Sequence, residues 1–337
     1  MMLSEVIERE LELTGGILFG RETIVYRGSY NGNNFLGKNS SDEEPDQRGY
    51  WPVERWILSL VEAQNPVKLT GEGLTKVQGY DFSFLDAVNA CEERLLGTFR
   101  DSWPLIKVLD IGGKLTQTSF GTNEIPPIPA HIHAGCTKDR NNQISCGKAE
   151  AQFFPFIPKD SSPITRMGFK KEVSKEMLLE AMNEFGKSDA LYNLMNEYEV
   201  KEGECWMVRP GFVHAPGPVL TIEIQRPQDD FNFLAWKLGE RINADQLVSM
   251  KNDNQLRGLQ NVEEFVDRCI DWEMNVDPKS ETIWKTNKRV FKHTESFEMS
   301  KIFHDMFDGE EWLIKKGKNL YYENDCSPKG IGDFHNS

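Results

Sequence analysis

Apolar positions change their spacing several times along the chain, and each change predicts an element. Leu3, Val6, Ile7, Leu11 and Leu13 recur at helical spacing among acidic residues, predicting a short amphipathic helix over residues 3–14. Beyond Gly15 the apolar runs shorten and are broken by Gly, Asn and Asp. Ile17-Leu18-Phe19 and Thr23-Ile24-Val25-Tyr26 therefore read as strands, and Gly37 to Gln47 as a solvated loop. Helical spacing returns from Ser83 and closes on Gly97. Trp103 to Asp110 is an apolar run with β-branched residues, short enough for a buried strand. Ala149 to Phe156 reads as another strand, with Glu150, Gln152 and Phe154 on one face and Ala151, Phe153 and Pro155 on the other.

The strongest helical signal follows. Val173 to Met182 places Ser174 as an N-cap before a run of helix formers, and residues 189–197 continue in the same manner. Residues 205–209 and 219–224 read as two strands joined by the Pro210 to Pro218 turn. Residues 260–272 form a further helix, and 282–322 alternate weakly, as a smaller β unit does. Strands interrupted by long loops and one helical insertion predict a mainly β protein, an all-β barrel or sandwich with a binding mouth.

Composition narrows the class. With 337 residues the chain exceeds the usual single domain, so one elongated or two closely packed domains are expected. At 39% hydrophobic and 27% charged residues it is an ordinary soluble composition. The net charge of -14 argues against nucleic acid or an anionic membrane as the general partner, but leaves an anionic small molecule open. The start, Met1-Met2-Leu3-Ser4-Glu5, carries no cationic and apolar leader, and no apolar run approaches the roughly 18 residues of a membrane span. A cytoplasmic location is the default. The six cysteines lack paired spacing and are expected as reduced thiols, with a structural zinc at Cys136 and Cys146 as the alternative.

Candidate chemistry lies in three short motifs. Alone, His131-Ile132-His133 is more often a polar strand face than a metal pair, and Pro210-Gly211-Phe212-Val213-His214 is more often a plain turn before a strand. Histidine usage changes the weighting. The chain has six histidines, and three of them fall within these motifs, whereas His293, His304 and His335 stand in the C-terminal stretch without a partner motif. His131 and His133 share one side of an extended strand. With Glu150 and His214 they make a mixed nitrogen and oxygen donor set, suited to zinc, iron or manganese rather than magnesium or calcium.

Taken together, these residues resemble the class I mannose-6-phosphate isomerases of the cupin superfamily, over roughly residues 100–236. Trp103 to Asp110 is similar to the strand before that family's first ligand motif, where Gln-x-His is usual and this chain has His131-Ile132-His133. Gly147-Lys148-Ala149-Glu150 resembles its Gly-Lys-Thr-Glu motif. Gly168-Phe169-Lys170 through Met182 resembles the opening of its helical insertion, and Val200 to Ala215 its second ligand strand. Glu150 follows His133 by 17 residues, which fits the isomerases better than the cupin dioxygenases.

The resemblance implies a cupin-type β-barrel, or jelly roll. Residues 1–165 and 200–240 would form the metal-binding barrel and 166–199 the helical insertion. Residues 241–337 would add a C-terminal helix and a partial second cupin-like β unit. It implies one zinc, with iron or manganese as other occupants, held by His131, His133, Glu150 and His214. Lys148 matches the family's active-site lysine, and Glu223, within Thr221-Ile222-Glu223-Ile224-Gln225, an acidic residue of its pocket. Phe233 stands where the family usually carries an arginine before a tryptophan, here Trp236, so Arg226 is the nearest cation to take its place.

The implied activity is aldose–ketose isomerisation of mannose 6-phosphate or a related sugar or sugar phosphate through an enediol. Glu223 would move the proton, Lys148 would bind a sugar oxygen, and Arg226 would meet developing charge or phosphate. The expected partner is a small-molecule sugar, with no nucleic acid and no membrane, and the assembly a monomer or homodimer. The rival classes are an iron-dependent cupin oxygenase and a sugar-binding cupin without catalysis.

Overall fold

A computed structural model describes residues 2–27, 45–65, 67–97, 99, 103–110, 116–117, 124–125, 128–138, 142–157, 159, 161–184, 188, 190–235, 259, 261–304 and 306–320. Trp236, His335 and most of the 37–47 loop read from the sequence lie outside them.

Local sequence sets the first elements. The amphipathic helix runs Leu3–Thr14, buries Ile7 and Leu11, and ends on Gly15, whose φ of 71° is the left-handed conformation that glycine adopts without a Cβ clash. The helix Phe84–Leu95 is capped by Ser83, whose hydroxyl accepts from the Asp86 amide while the Asp86 carboxylate reaches back to the Ser83 amide. Ile17 to Phe19 form no strand. Pairing begins at Gly20–Arg21 against Lys76–Val77, and Ile17 and Phe19 stand half exposed.

Two antiparallel sheets make the body. The larger has seven strands in the order Lys285–Asn287, Glu204–Val208, Glu150–Phe156, Leu220–Gln225, Leu105–Leu109, Trp51–Ile57 and Thr23–Arg27. The smaller has five, in the order Met195–Glu199, Ile164–Phe169, His214–Ala215, His131–Ile132 and Asn232–Phe233. The architecture is mainly β and cupin-like as expected, with two facing sheets in place of a closed barrel. The helical reading of 189–197 holds only for Ala190–Leu194. From Met195 the chain turns into a strand, because hydrogen bonding along the free edge of Ile164–Phe169 outweighs the helix propensity of the segment.

Burial follows the alternation of each strand. On Glu150–Phe156, Phe153 points outward and meets Phe303 of the C-terminal sheet, their ring centroids 6.4 Å apart. Glu150 and Gln152 point the other way, into the space between the sheets. The helices Lys175–Asn183 and Val262–Cys269 cover the small sheet, packing Leu178, Met182 and Phe265 with Ile132, Phe169 and Val213. Arg289–His293, Phe297–His304 and Asp308–Ile314 form a three-stranded antiparallel sheet, while Lys285–Asn287 joins the edge of the large one. The expectation of reduced thiols fails at one place: Cys136 and Cys146 are joined by a disulfide across the hairpin of Thr137–Lys138 and Ile144–Ser145. Cys91, Cys205 and Cys269 are not in disulfides. Among the described residues no helix is long and apolar enough to cross a membrane.

Candidate metal centre

Three separate stretches of the chain converge between the sheets. His131 sits in the middle of the small sheet, paired in register with His214 on one side and Phe233 on the other. His133 follows at the strand's end. Side-chain nitrogens of His131, His133 and His214 lie within 4.8 Å of one another, and all three residues are buried. Glu150 enters from the large sheet: its Oε2 is 3.0 Å from His133 Nε2 and its Oε1 is 3.1 Å from His214 Nε2. Gly147 permits this approach, because a Cβ there would lie 2.7 Å from the His133 carbonyl carbon and the Ala134 amide nitrogen.

The protons identify what the cluster needs. Each histidine turns Nδ1 toward a backbone carbonyl: His131 to Pro129 at 2.9 Å, His133 to Asp230 at 2.7 Å and His214 to Phe212 at 3.1 Å. A neutral imidazole has one N–H, and donating it from Nδ1 leaves a bare lone pair on Nε2. Burial, reinforced by neighbouring charge, holds His131 well below its ordinary pKa and His133 at about 4, so neither carries a second proton near neutrality. Glu150 is ionised: although burial opposes charge, the Lys148 ammonium beside it holds its carboxyl well below the usual range. Bare nitrogen lone pairs and a carboxylate facing one another at 3.0 and 3.1 Å repel unless a cation lies among them. His214 Nε2 is also among the buried polar atoms that lack a hydrogen-bond partner. Adjacent donors on a divalent ion at about 2.1 Å stand roughly 3.0–3.4 Å apart, so the residues present fit a metal such as zinc.

A second layer extends from the candidate donors into a cavity that opens to solvent. Lys148 Nζ is 3.1 Å from Glu150 Oε2, 3.7 Å from Glu223 Oε1 and hydrogen-bonded to Gln225 Oε1. Burial disfavours its charge, yet Glu150 and Glu223 hold its pKa above the ordinary lysine value. Glu223 is buried and faces the cavity, in register between Gln152 and Lys107. Burial first, then the Glu150 charge, raises its pKa to about 7.

Farther along the wall, Arg27 pairs with Glu54 at 2.8 Å and Asp229 at 3.1 Å, while Lys107 lies 3.1 Å from Asp229 and 3.7 Å from Glu54. Arg226 is exposed and lies outside this lining, so the expectation that it reaches the cavity is not met. An odd residue count from Glu223 turns it to the opposite side of the strand direction. Phe233 is buried in the cavity wall, 4.8 Å from Phe231 between ring centroids. The sequence reading passed over Arg27, Glu54, Lys107 and Asp229. A lysine in the middle of Leu105–Leu109 was the available signal, since a charge inside a buried run requires a buried partner.

No sequence-family model matches the chain, and no curated protein is recognisably similar to it in sequence. Its likeness to known proteins lies in the fold. A presumed mannosephosphate isomerase from Archaeoglobus fulgidus aligns over 85% of this chain and 76% of its own, with a TM-score of 0.51 at 18% identity. The mannose 6-phosphate isomerase from Bacillus subtilis aligns over 88% of this chain and 80% of its own, with a TM-score of 0.54 at 14% identity. The chain thus has the cupin-like fold of the mannose-6-phosphate isomerases, and those enzymes are its structural neighbours.

Proposed function

We propose that the chain is a metal-dependent aldose–ketose isomerase acting on a sugar or sugar phosphate, with the conversion of mannose 6-phosphate to fructose 6-phosphate as the first reaction to assay. The observation carrying this reading is the placement of Glu223, a buried carboxyl with a pKa raised to about 7, in the cavity lined by His131, His133 and Glu150 and beside Lys148. Isomerisation moves a proton between adjacent carbons, so it needs one group able to both take and return it near neutrality. Glu223 meets that requirement. Its carboxylate would remove the proton from C2 of the aldose and its acid form would deliver it to C1, while the O2 hydroxyl proton passes to O1 within the enediolate, so that C2=O forms as C1=O is lost. Lys148, held protonated by two carboxylates, would donate a hydrogen bond to the oxygen on which charge grows.

A zinc held by His131, His133, Glu150 and His214 would polarise the substrate carbonyl as a Lewis acid. Phe231 and Phe233 supply an apolar wall against which the sugar's carbon face can rest. In the described lining the cations Arg27, Lys107 and Lys148 all have carboxylate partners, an arrangement that offers donors and acceptors to hydroxyl groups. Both mannose and mannose 6-phosphate therefore belong in the assay.

Incubation of zinc-loaded protein with each sugar in deuterated water, followed by NMR, tests the reading. Ketose formation with deuterium entering at C1 or C2 is expected, and abolished by Glu223→Gln. Binding of sugar without exchange would place the chain among non-catalytic binders. Metal analysis with an oxygen-uptake assay separates the zinc isomerase from an iron oxygenase.

A further inference from the structure

Behind the metal donors lies a buried charge cluster that takes part in neither proton transfer nor metal binding as described above. Arg27, Glu54, Lys107 and Asp229 come from four places in the chain, and each is at most 5% exposed. Asp229 is its hub. The Asp229 carboxylate accepts from Arg27 Nη2 at 3.1 and 3.2 Å, from Lys107 Nζ at 3.1 Å and from the Gln64 amide at 2.7 Å. Glu54 completes the cluster by holding Arg27 through two parallel bonds, at 2.8 and 3.1 Å, the planar match of guanidinium and carboxylate.

The residue after this hub touches the metal centre. The Asp230 carbonyl receives His133 Nδ1 at 2.7 Å, and that contact selects the tautomer that leaves Nε2 bare. Three residues beyond the hub, Asn232–Phe233 pairs with His131–Ile132 as the last strand of the small sheet. The segment that orients His133 and flanks His131 is therefore fixed at its start by one carboxylate, and that carboxylate is fixed by cations from two strands of the opposite sheet. We propose that the Arg27–Glu54–Lys107–Asp229 cluster is a positioning device for His133, acting through the Asp230 carbonyl to set the tautomer and aim of this donor. The inference rests on the metal-donor reading of the three histidines. The four residues of the cluster are positioning residues, and their effect reaches the metal through the Asp229–Asp230 backbone.

Cobalt(II) and zinc(II) serve as probes on the full chain, cobalt for its visible absorption and zinc for affinity by competition with a chromophoric chelator. Asp229→Asn keeps the shape of the hub and removes its charge. Arg27→Lys keeps a cation and removes the two-point grip. Ile7→Ala, in the core of the N-terminal helix and without contact to the segment, is the control for lost stability alone. Asp229→Asn should weaken zinc binding by about 10- to 100-fold and alter the cobalt absorption bands. Arg27→Lys should move both readouts the same way by less, and serves alone if the first variant does not fold. Ile7→Ala should change neither.

Wild-type cobalt absorption and zinc affinity in Asp229→Asn, or in Arg27→Lys where that variant stands alone, would overturn the positioning role, as would an equal change in Ile7→Ala. A wild-type chain that takes up neither metal would overturn the donor reading itself, and the positioning role with it.

Discussion

A neutral imidazole has a single ring proton, and each histidine of the cluster has two neighbours that could use it. The backbone carbonyls at Pro129, Asp230 and Phe212 receive Nδ1, leaving Nε2 to face other acceptors. His214 is fully buried, so replacing it with alanine removes one candidate donor and leaves Glu150 Oε1 with Gln152 Nε2 at 3.0 Å as its remaining neighbour. Zinc affinity in His214→Ala should fall by at least about 100-fold, as read by chelator competition.

Glu223→Gln should retain zinc and lower kcat by about 10²–10⁴-fold, the usual worth of a positioned proton-transfer group. The same residue gives a signed pH effect in metal-free protein. Its folded pKa of about 7 exceeds the unfolded value, so its contribution to stability is full below about 4.5 and is lost as pH rises through 7. His133 runs the other way, its contribution present above about 6.5 and lost as pH falls toward 4. Urea midpoints of wild type minus those of Glu223→Gln should therefore decline between pH 5 and 7.5. A flat difference would show that Glu223 titrates normally. Bound zinc adds positive charge and should move the decline to lower pH.

At the level of elements, the donors depend on a close crossing of backbones that only glycine allows. Gly147 donates its amide to the Ala134 carbonyl at 2.8 Å, and the position of Lys148 and Glu150 follows from that contact. Gly147→Ala should cost about 1–3 kcal/mol of stability and weaken zinc binding, measured by thermal unfolding and chelator competition on one preparation. The strands Leu105–Leu109, Glu150–Phe156 and Leu220–Gln225 were legible because apolar runs and alternation report burial directly. The convergence of the candidate donors was legible because His131, His133, Glu150 and His214 sit in compact motifs.

Met195–Glu199 was not legible, since Leu191 to Met195 continues helical spacing and only the edge of a distant strand makes it β. The Arg27–Asp229 pair was hidden by a separation of 202 residues, which no local pattern encodes. Cys136 and Cys146 are separated by 10 residues in a polar stretch, and the pairing depends on a short hairpin that leaves no hydrophobic signature.

Across the whole molecule, the site lies between two sheets whose strands come from both halves of the chain, so a metal bound there would be coupled to folding. A ligand bound at 100 times its dissociation constant stabilises the folded state by about 2.7 kcal/mol, and chelation should lower Tm by several degrees in a chain of this size. The Cys136–Cys146 disulfide begins three residues after His133 and ends two before Lys148, so it closes the loop between two donor segments. Serine at both positions should destabilise the chain by roughly 2–3 kcal/mol, measured by denaturant unfolding.

The net charge of -14 argues against nucleic acid as a general partner. The most direct test is the metal content of the purified chain, by mass spectrometry after zinc loading and desalting, alongside His214→Ala. One divalent ion per wild-type chain, lost from the variant, is the predicted result. A wild-type chain that retains no metal and shows no change in Tm on zinc addition would contradict it.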